Sequence, residues 1–488
     1  MFRFFRRFLT RRFWIRCAFV ALALLTLLVV IYCEEKWRGQ QAWNAYAAAA
    51  ESRGTKLWPE NFLLPEVADA DNYAALPCIR EVEAAQLEKR EAHPGLPTMT
   101  DANRLSAMRD DVLGTPLPLK EARDFFVTNR EIPTPSADPA QDLLDLFARK
   151  APALQQFREA SARRQTRFAR FWGGGVDLNR VMATFLLNSA RLFRLSACAR
   201  LTKGDVDGAA SEIRHLARLC AAVRSEPGLL SGMMGTWVAE ILACAISDGV
   251  ATGQWTEEQL QEFTETLRAV NSLADIRFAI SSERAFINLE FERIAQHGYV
   301  CPIPGIKEPW LTKVSMPFYP SGWARQNMVK TNEYLDFRLQ QLTPAQDGPP
   351  RPLSLAAGQD WEGRNLRDPM GWRVYWGFTH SMVYLLRGID MGWTYSHSYL
   401  ARAQLACALE RYVRRLGHYP ESLDLLVPDF LPDVPESLVD TLKISYRRVS
   451  EKEYVLWEDY ASVPAPAGPQ VSEEALKSAD WVWRSPKR

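Results

Sequence analysis

Histidine is scarce in this 488-residue chain, with six residues at positions 93, 215, 297, 380, 397 and 418. None belongs to an H-E-x-x-H helix, so the common zinc-protease arrangement is excluded. No G-x-S-x-G elbow or S-x-x-K nucleophile is present. A Walker-type G-K-[ST] loop is also missing: Gly173-Gly174-Gly175 has neither the lysine nor the hydroxyl needed to hold a phosphate and reads as a turn. The eight cysteines include no C-x-x-C pair, which removes the usual zinc-ribbon and thioredoxin-like patterns. Excess charge is lacking too, since 59 Lys and Arg face 58 Asp and Glu.

What is present is concentrated at the start. Arg3, Arg6, Arg7, Arg11, Arg12 and Arg16 precede Cys17–Cys33, a run of Ala, Val, Leu, Ile and Phe with one Thr. Extended by Phe13, Trp14 and Ile15, the run reaches the length that crosses a bilayer's hydrocarbon core. Trp14 and Tyr32 stand near its two ends, where amphipathic rings favour headgroup depth. The arginines predict a cytoplasmic N-terminus and a C-terminal body outside the cytoplasm, periplasmic or otherwise extracytoplasmic, on the cell inner membrane. A secretory leader would end in small residues of A-x-A type, whereas this run ends Val-Val-Ile-Tyr-Cys-Glu-Glu. An uncleaved anchor is therefore expected.

Beyond residue 33 remain 53 basic and 58 acidic residues, a net charge of −5, which argues against nucleic acid as a partner. The one basic stretch, Arg163, Arg164, Arg167 and Arg170, reads as a solvated helix face. The 16 tryptophans, scattered from Trp37 to Trp483, read as packing residues. Cys198, Cys220, Cys244 and Cys407 lie in apolar helical patterns and read as small buried hydrophobes. Cys78 and Cys301 sit in Pro-containing loops, where a disulfide would be permitted outside the cytoplasm.

The pattern predicts a mainly α fold: an N-terminal transmembrane helix, an antiparallel helical body and a small C-terminal β-hairpin. Residues 1–33 form the basic arm and anchor. Residues 34–100 give a helical stalk, then an extended Pro-rich segment whose Asp69-Ala-Asp71-Asn72 makes a polar turn without a calcium-loop register. Residues 101–342 are the helical body, with helices at Asp142–Ala151, Leu154–Phe171, Arg180–Leu201, Val206–Val223 and Leu229–Thr252. Thr256 and Gln259 form a capping box opening Glu257–Val270, and a further helix runs from Ser272 to about His297. Leu229–Ile246 is apolar enough to span a membrane, but Glu240 and the small residues Gly232, Gly235, Ala239 and Ala243 fit a packed core helix. Residues 343–370 read as a linker. Residues 371–460 carry a helix interrupted near Gly388–Gly392, then strands at Leu442–Val449 and Tyr454–Trp457. Residues 461–488 read as a flexible tail.

The turn Leu201-Thr-Lys-Gly-Asp-Val-Asp-Gly-Ala-Ala210, set between amphipathic helices, resembles the hairpin of tetratricopeptide repeats. Tyr412, Gly417-His-Tyr-Pro420-Glu-Ser-Leu423 and Leu426-Val-Pro428 resemble the post-helix segment of type II secretion pseudopilins, which implies a small sheet after the helix and a place in a secretion or pilus-like assembly. The layout of anchor, Pro65-Glu-Val-Ala-Asp-Ala-Asp-Asn72 turn, helical body and Gly-x-Tyr-Pro ending also resembles a group of bacterial single-pass membrane-anchored proteins. That resemblance implies no particular activity.

Chemistry is sparse. Glu283, Glu290 and His297 recur every seven residues on one helix face. Two carboxylates and an imidazole are the groups an envelope hydrolase would use. Their spacing of about 10 Å per step is too wide for one ion without ligands from another helix, and Arg284 and Arg293 offer a salt-bridged stripe instead. His380 and His397 lie among aromatics as hydrogen-bonded structural residues. No catalytic residue, cofactor-binding residue, metal ligand or cofactor is assigned. The expected role is a non-enzymatic binding or scaffold module of the cell envelope, whose partners are the membrane and envelope proteins.

Overall fold

A computed structural model describes residues 11–88, 116–168, 175–297, 320–342, 355–366, 376–436, 442–460 and 483–485. The described chain is mainly helical, with a small antiparallel sheet near the C-terminus, as the periodicity predicts. It divides into two compact units. The first takes Met1–Phe62, Arg284–Phe337 and Trp361–Tyr384; the second takes Leu63–Glu283, Arg338–Asp360 and Leu385–Arg488.

The first unit opens on α1, Arg11–Ser52, a single 42-residue helix. No Pro interrupts the sequence after the apolar run, so the helix passes from it into the Ala-rich stretch. It ends where Gly54 takes a positive φ of 74°. From Trp14 to Tyr32 the large apolar side chains are exposed. Past the apolar run the same helix is packed: Trp43 and Ala50 are buried, and this is the stretch that reads from sequence as a stalk. The unit also holds the C-terminal part of α10 (Ser272–His297), α11 (Ser321–Gln341) and the start of α13 (Gly377–Leu416). Glu35 pairs with Gln326 and Tyr46 with Asp336, so α1 and α11 run parallel. Arg284 pairs with Asp336 and Glu292 with Arg325, so α10 runs against them. Gly39 and Gly322 let the backbones touch, since a Cβ built on Gly322 would overlap the Glu35 carbonyl.

The second unit has one continuous core. Its helices are α2 (Pro77–Leu87), α3 (Leu119–Thr128), α4 (Pro139–Lys150), α5 (Pro152–Glu159), α6 (Gly175–Thr202), α7 (Val206–Arg224), α8 (Leu229–Ala251) and α9 (Glu257–Arg268), with the first part of α10 and most of α13. Helices α6, α7 and α8 pack mutually, and short turns make successive helices antiparallel. Asp205 caps α7, and Thr256 and Gln259 form the expected capping box at α9. Helix α8 is buried along most of its length, as a core helix. Its small residues explain how: Gly232 lies against Ala279 and Trp393, and Gly249 lies flat against the Trp255 indole. Strands β1 (Leu442–Ser450), β2 (Glu453–Tyr460) and β3 (Trp483–Arg484) pair in that order, all antiparallel.

Several local expectations change. Trp483–Arg484, within the stretch expected to be a flexible tail, form β3 with Trp483 wholly buried, and Cys78, expected in a loop, is buried in α2. Pro77 opens α2 rather than breaking a helix, because proline lacks only an N–H that the first turn leaves unbonded. Helix α13 runs unbroken through Gly388 and Gly392. An interior glycine costs about 1 kcal/mol, which the buried Leu386, Trp393 and Leu400 outweigh. The segment 343–370 contains a helix, α12 (Leu355–Asn365). Helix α5 ends at Glu159, so Arg163, Arg164 and Arg167 leave the helix and lie in an extended stretch; Arg170 falls outside the described residues.

Candidate functional site

The arginine stretch turns toward a single asparagine. Asn72 makes a parallel bridge to Gln165, and its amide accepts from the Arg167 N–H at 2.9 Å while donating to the Arg167 carbonyl at 2.9 Å. Arg163 donates to the Asn72 carbonyl, and Arg218 donates to the carbonyls of Arg163 and Gln165 while its guanidinium covers the Tyr73 ring at 4.2 Å. The Asp69–Asn72 turn therefore serves as a strand substitute that pairs the backbone of a largely exposed extended segment ending at the buried Phe168.

The three residues on the α10 stripe separate. Glu283 belongs to the second unit, where its carboxylate accepts from the Leu229 N–H at 2.8 Å and neighbouring Ser282 Oγ accepts from Gly228 N at 2.7 Å. Burial pushes the Glu283 carboxyl up and the Leu229 bond pulls it back. It thus satisfies an orphan donor at the N-terminus of α8, whose own N-cap is a glycine with no side-chain acceptor. Glu290 belongs to the first unit, where it meets Arg293 at 3.3 Å in an exposed pair. The side chain of His297 lies outside the described residues. His397 bonds Ser272 Oγ and the Glu436 carbonyl, and burial lowers its pKa. His380 faces Glu362 at 2.8 Å.

The Gly-His-Tyr-Pro segment joins helix to sheet. Gly417 takes a φ of 83° and closes α13. The Tyr419 hydroxyl donates to buried Glu410 at 2.5 Å, its N–H donates to the Glu451 carbonyl, and its own carbonyl accepts from Arg448. The Pro420 carbonyl accepts from the Tyr446 hydroxyl at 2.7 Å.

Periodicity does not reveal the densest polar clusters. In the first unit, Asn288, Asn327, Thr331, Asn332 and Thr379 are each wholly buried. Asn332 Nδ2 donates to Asn288 Oδ1 at 2.6 Å, Asn288 Nδ2 donates to the Leu57 carbonyl, and the Thr379 N–H and hydroxyl both donate to Asn327 Oδ1. Beside them, the Asp336 carboxylate accepts from Tyr46 at 2.8 Å, Arg284 at 2.6 Å and Arg53 at 3.3 Å. Burial and the carboxylate raise the Tyr46 pKa. The only sequence signal for this cluster is polar residues four apart on each helix, Arg284 with Asn288 and Asn332 with Asp336.

In the second unit, Arg194 and Asp248 form a buried pair at 2.8 Å, and the Cys198 thiol donates to the same carboxylate at 3.2 Å. Glu212 gathers Arg158, Ser196 and Arg200. Glu226 is 2% exposed and accepts from the Phe168 N–H; burial pushes its carboxyl up to about 8. A cavity of about 10 Å³, room for one water, lies between Thr236, Asp275, Trp393 and Ser396. These groups bind one another, and each carboxylate has its donors within the protein. Among the described residues, no group of three His, Cys, Asp or Glu side chains could hold a metal ion. Cys78, Cys198, Cys220, Cys244 and Cys407 are buried free thiols, and Cys301 lies outside the described residues.

Compared with known proteins, the chain matches no family model, and neither a curated protein nor a solved structure shows significant similarity to it.

Proposed function

We propose that this chain is a single-span inner-membrane protein, N-terminus in the cytoplasm, whose extracytoplasmic helical body is a non-enzymatic binding or scaffold module of the cell envelope. The observation that carries this reading is α1. Its apolar first half is exposed along the whole of its most apolar window, and its second half is built into the first unit, so one rigid helix is both anchor and structural member. The arginines before it supply the orientation. The scaffold role draws support from the use of the inward-facing charges: the buried Asp248 and Glu212 and the half-buried Asp336 and Glu283 each cross-link helices or cap one. Site-specific photo-crosslinking from exposed body positions in cells tests it. Discrete protein adducts are expected, and their absence from every position sampled would sink the scaffold role. An envelope hydrolase using Glu283 and Glu290 makes the opposite prediction: Glu290→Gln abolishes function in a fully folded protein.

A second reading, a component of a secretion or pilus-like assembly, is favoured by the C-terminal geometry. Helix α13 ends in Gly417-His-Tyr-Pro420 and is stapled to a three-stranded sheet. Copurification of the full-length protein with secretion-system components supports that reading, and their absence from crosslinked membranes argues against it.

A further inference from the structure

Helix α1 leaves the bilayer at about Cys33 if Phe13–Cys33 spans it, since 21 residues at 1.5 Å each cover the roughly 30 Å hydrocarbon core. Glu35 is then about 3 Å above the hydrocarbon edge, and Gly39 about 9 Å above it. The headgroup layer on each side is roughly 5–8 Å deep. The body is already attached at these heights. Gly322 at the start of α11 lies against the Glu35 backbone, Gly39 lies against Gly322, and Gln326 bonds Glu35 at 2.9 Å. Arg325, one residue earlier, holds Glu292 at 2.8 Å, which brings the C-terminal turns of α10 to the same end of the unit. A usual tilt of about 20° changes these heights little.

We infer that the membrane-proximal end of the first unit, built from Glu35–Arg38, the first turn of α11 and the turns of α10 around Glu292, is seated in the phosphate-bearing headgroup layer of the outer leaflet. The inference rests on the proposed membrane span, and it replaces a body held off on a stalk with one docked on lipid. The exposed chemistry at this level suits phospholipid headgroups. Trp37 is 63% exposed four residues past Cys33, where an indole prefers interfacial depth, and Lys36, Arg38 and Arg293 are exposed cations. Among the described residues Arg38 pairs with Glu34 and Glu35, and Arg293 with Glu290; both arginine side chains are more than half exposed, and pairs of this kind are weak and leave the guanidinium available to phosphate.

The test uses the full-length protein carrying Cys17→Ala, Cys33→Ala and Cys301→Ala, reconstituted in vesicles of phosphatidylethanolamine and phosphatidylglycerol. Nitroxides are placed singly at Leu25→Cys, Trp37→Cys, Arg293→Cys and Ser52→Cys, all exposed positions whose replacement leaves the buried contacts intact. Depth is read from collision rates with oxygen and with a water-soluble nickel complex. The label at 25 should report hydrocarbon and that at 52 water. Labels at 37 and 293 should report headgroup depth, with a severalfold loss of nickel collisions relative to 52. If 293 matches 52 while 25 remains in hydrocarbon, the body stands clear of the lipid and the inference is overturned while the span survives. If 25 is itself aqueous, the span fails and the inference falls with it.

Discussion

Glu226 shows what burial does to a single side chain. Its folded-state pKa of about 8 lies above the ordinary carboxyl value, so between the two the folded state holds a proton that the unfolded chain has released. Folding stability then falls as pH rises through that window, opposed in part by Arg167 and reinforced by Glu83. Glu226→Gln should remove this slope, raising the midpoint of thermal unfolding more at pH 8 than at pH 5. Parallel pH-dependent melts of the two proteins would disprove the assignment. Glu283 is likewise a carboxylate whose pKa is raised by burial and that accepts a backbone N–H, here at a helix start. Glu283→Ala exposes an unsatisfied N–H at the start of α8 and should cost about 1 kcal/mol in denaturant unfolding. The heptad spacing showed that Glu283, Glu290 and His297 share a helix face, but not that Glu283 belongs to one packed unit and Glu290 to the other, each with its own partner. Partners far apart in sequence, such as Arg194 with Asp248, leave no periodic trace. Asp248→Asn should cost on the order of 3–5 kcal/mol by leaving the Arg194 charge buried without its counter-charge.

Elements were legible where a local rule governs them. The Thr256–Gln259 box and the Gly253, Gly204 and Gly417 turns are set within a few residues, and the structure shows each. The expectation failed where long-range bonding decides. Arg163–Phe168 carries a helical composition, yet Asn72 and Arg218 satisfy its backbone in an extended form. The junction of α13 with the sheet depends in the same way on Tyr419. Tyr419→Phe removes a bond to a buried carboxylate and should destabilise the C-terminal unit by about 1–3 kcal/mol, read as faster amide exchange in β1 and β2 with α6–α8 unaffected. The α1–α11 crossing has no tolerance for a side chain. Gly39→Val should lower the unfolding midpoint of the intact protein in detergent through overpacking, by about 1–3 kcal/mol or more.

For the whole molecule, composition bounded the answer more than any motif did. A basic start, an apolar run without a cleavage signal and a near-neutral remainder support the proposed placement on a membrane with the body outside the cytoplasm. The fold adds that α1, whose first half is long and apolar enough to cross a membrane, is also a wall of the first unit. A polar cluster such as Asp336 with Tyr46, Arg53 and Arg284 gathers residues from three distant parts of the chain, so sequence alone did not point to it. The central claim is the topology, and it is tested most directly by adding an impermeant protease to spheroplasts expressing the full-length protein tagged at each end. The account predicts rapid loss of the C-terminal tag and body, with the N-terminal tag protected until the membrane is dissolved. Retention of the body under external protease, with cleavage only after lysis, would contradict it.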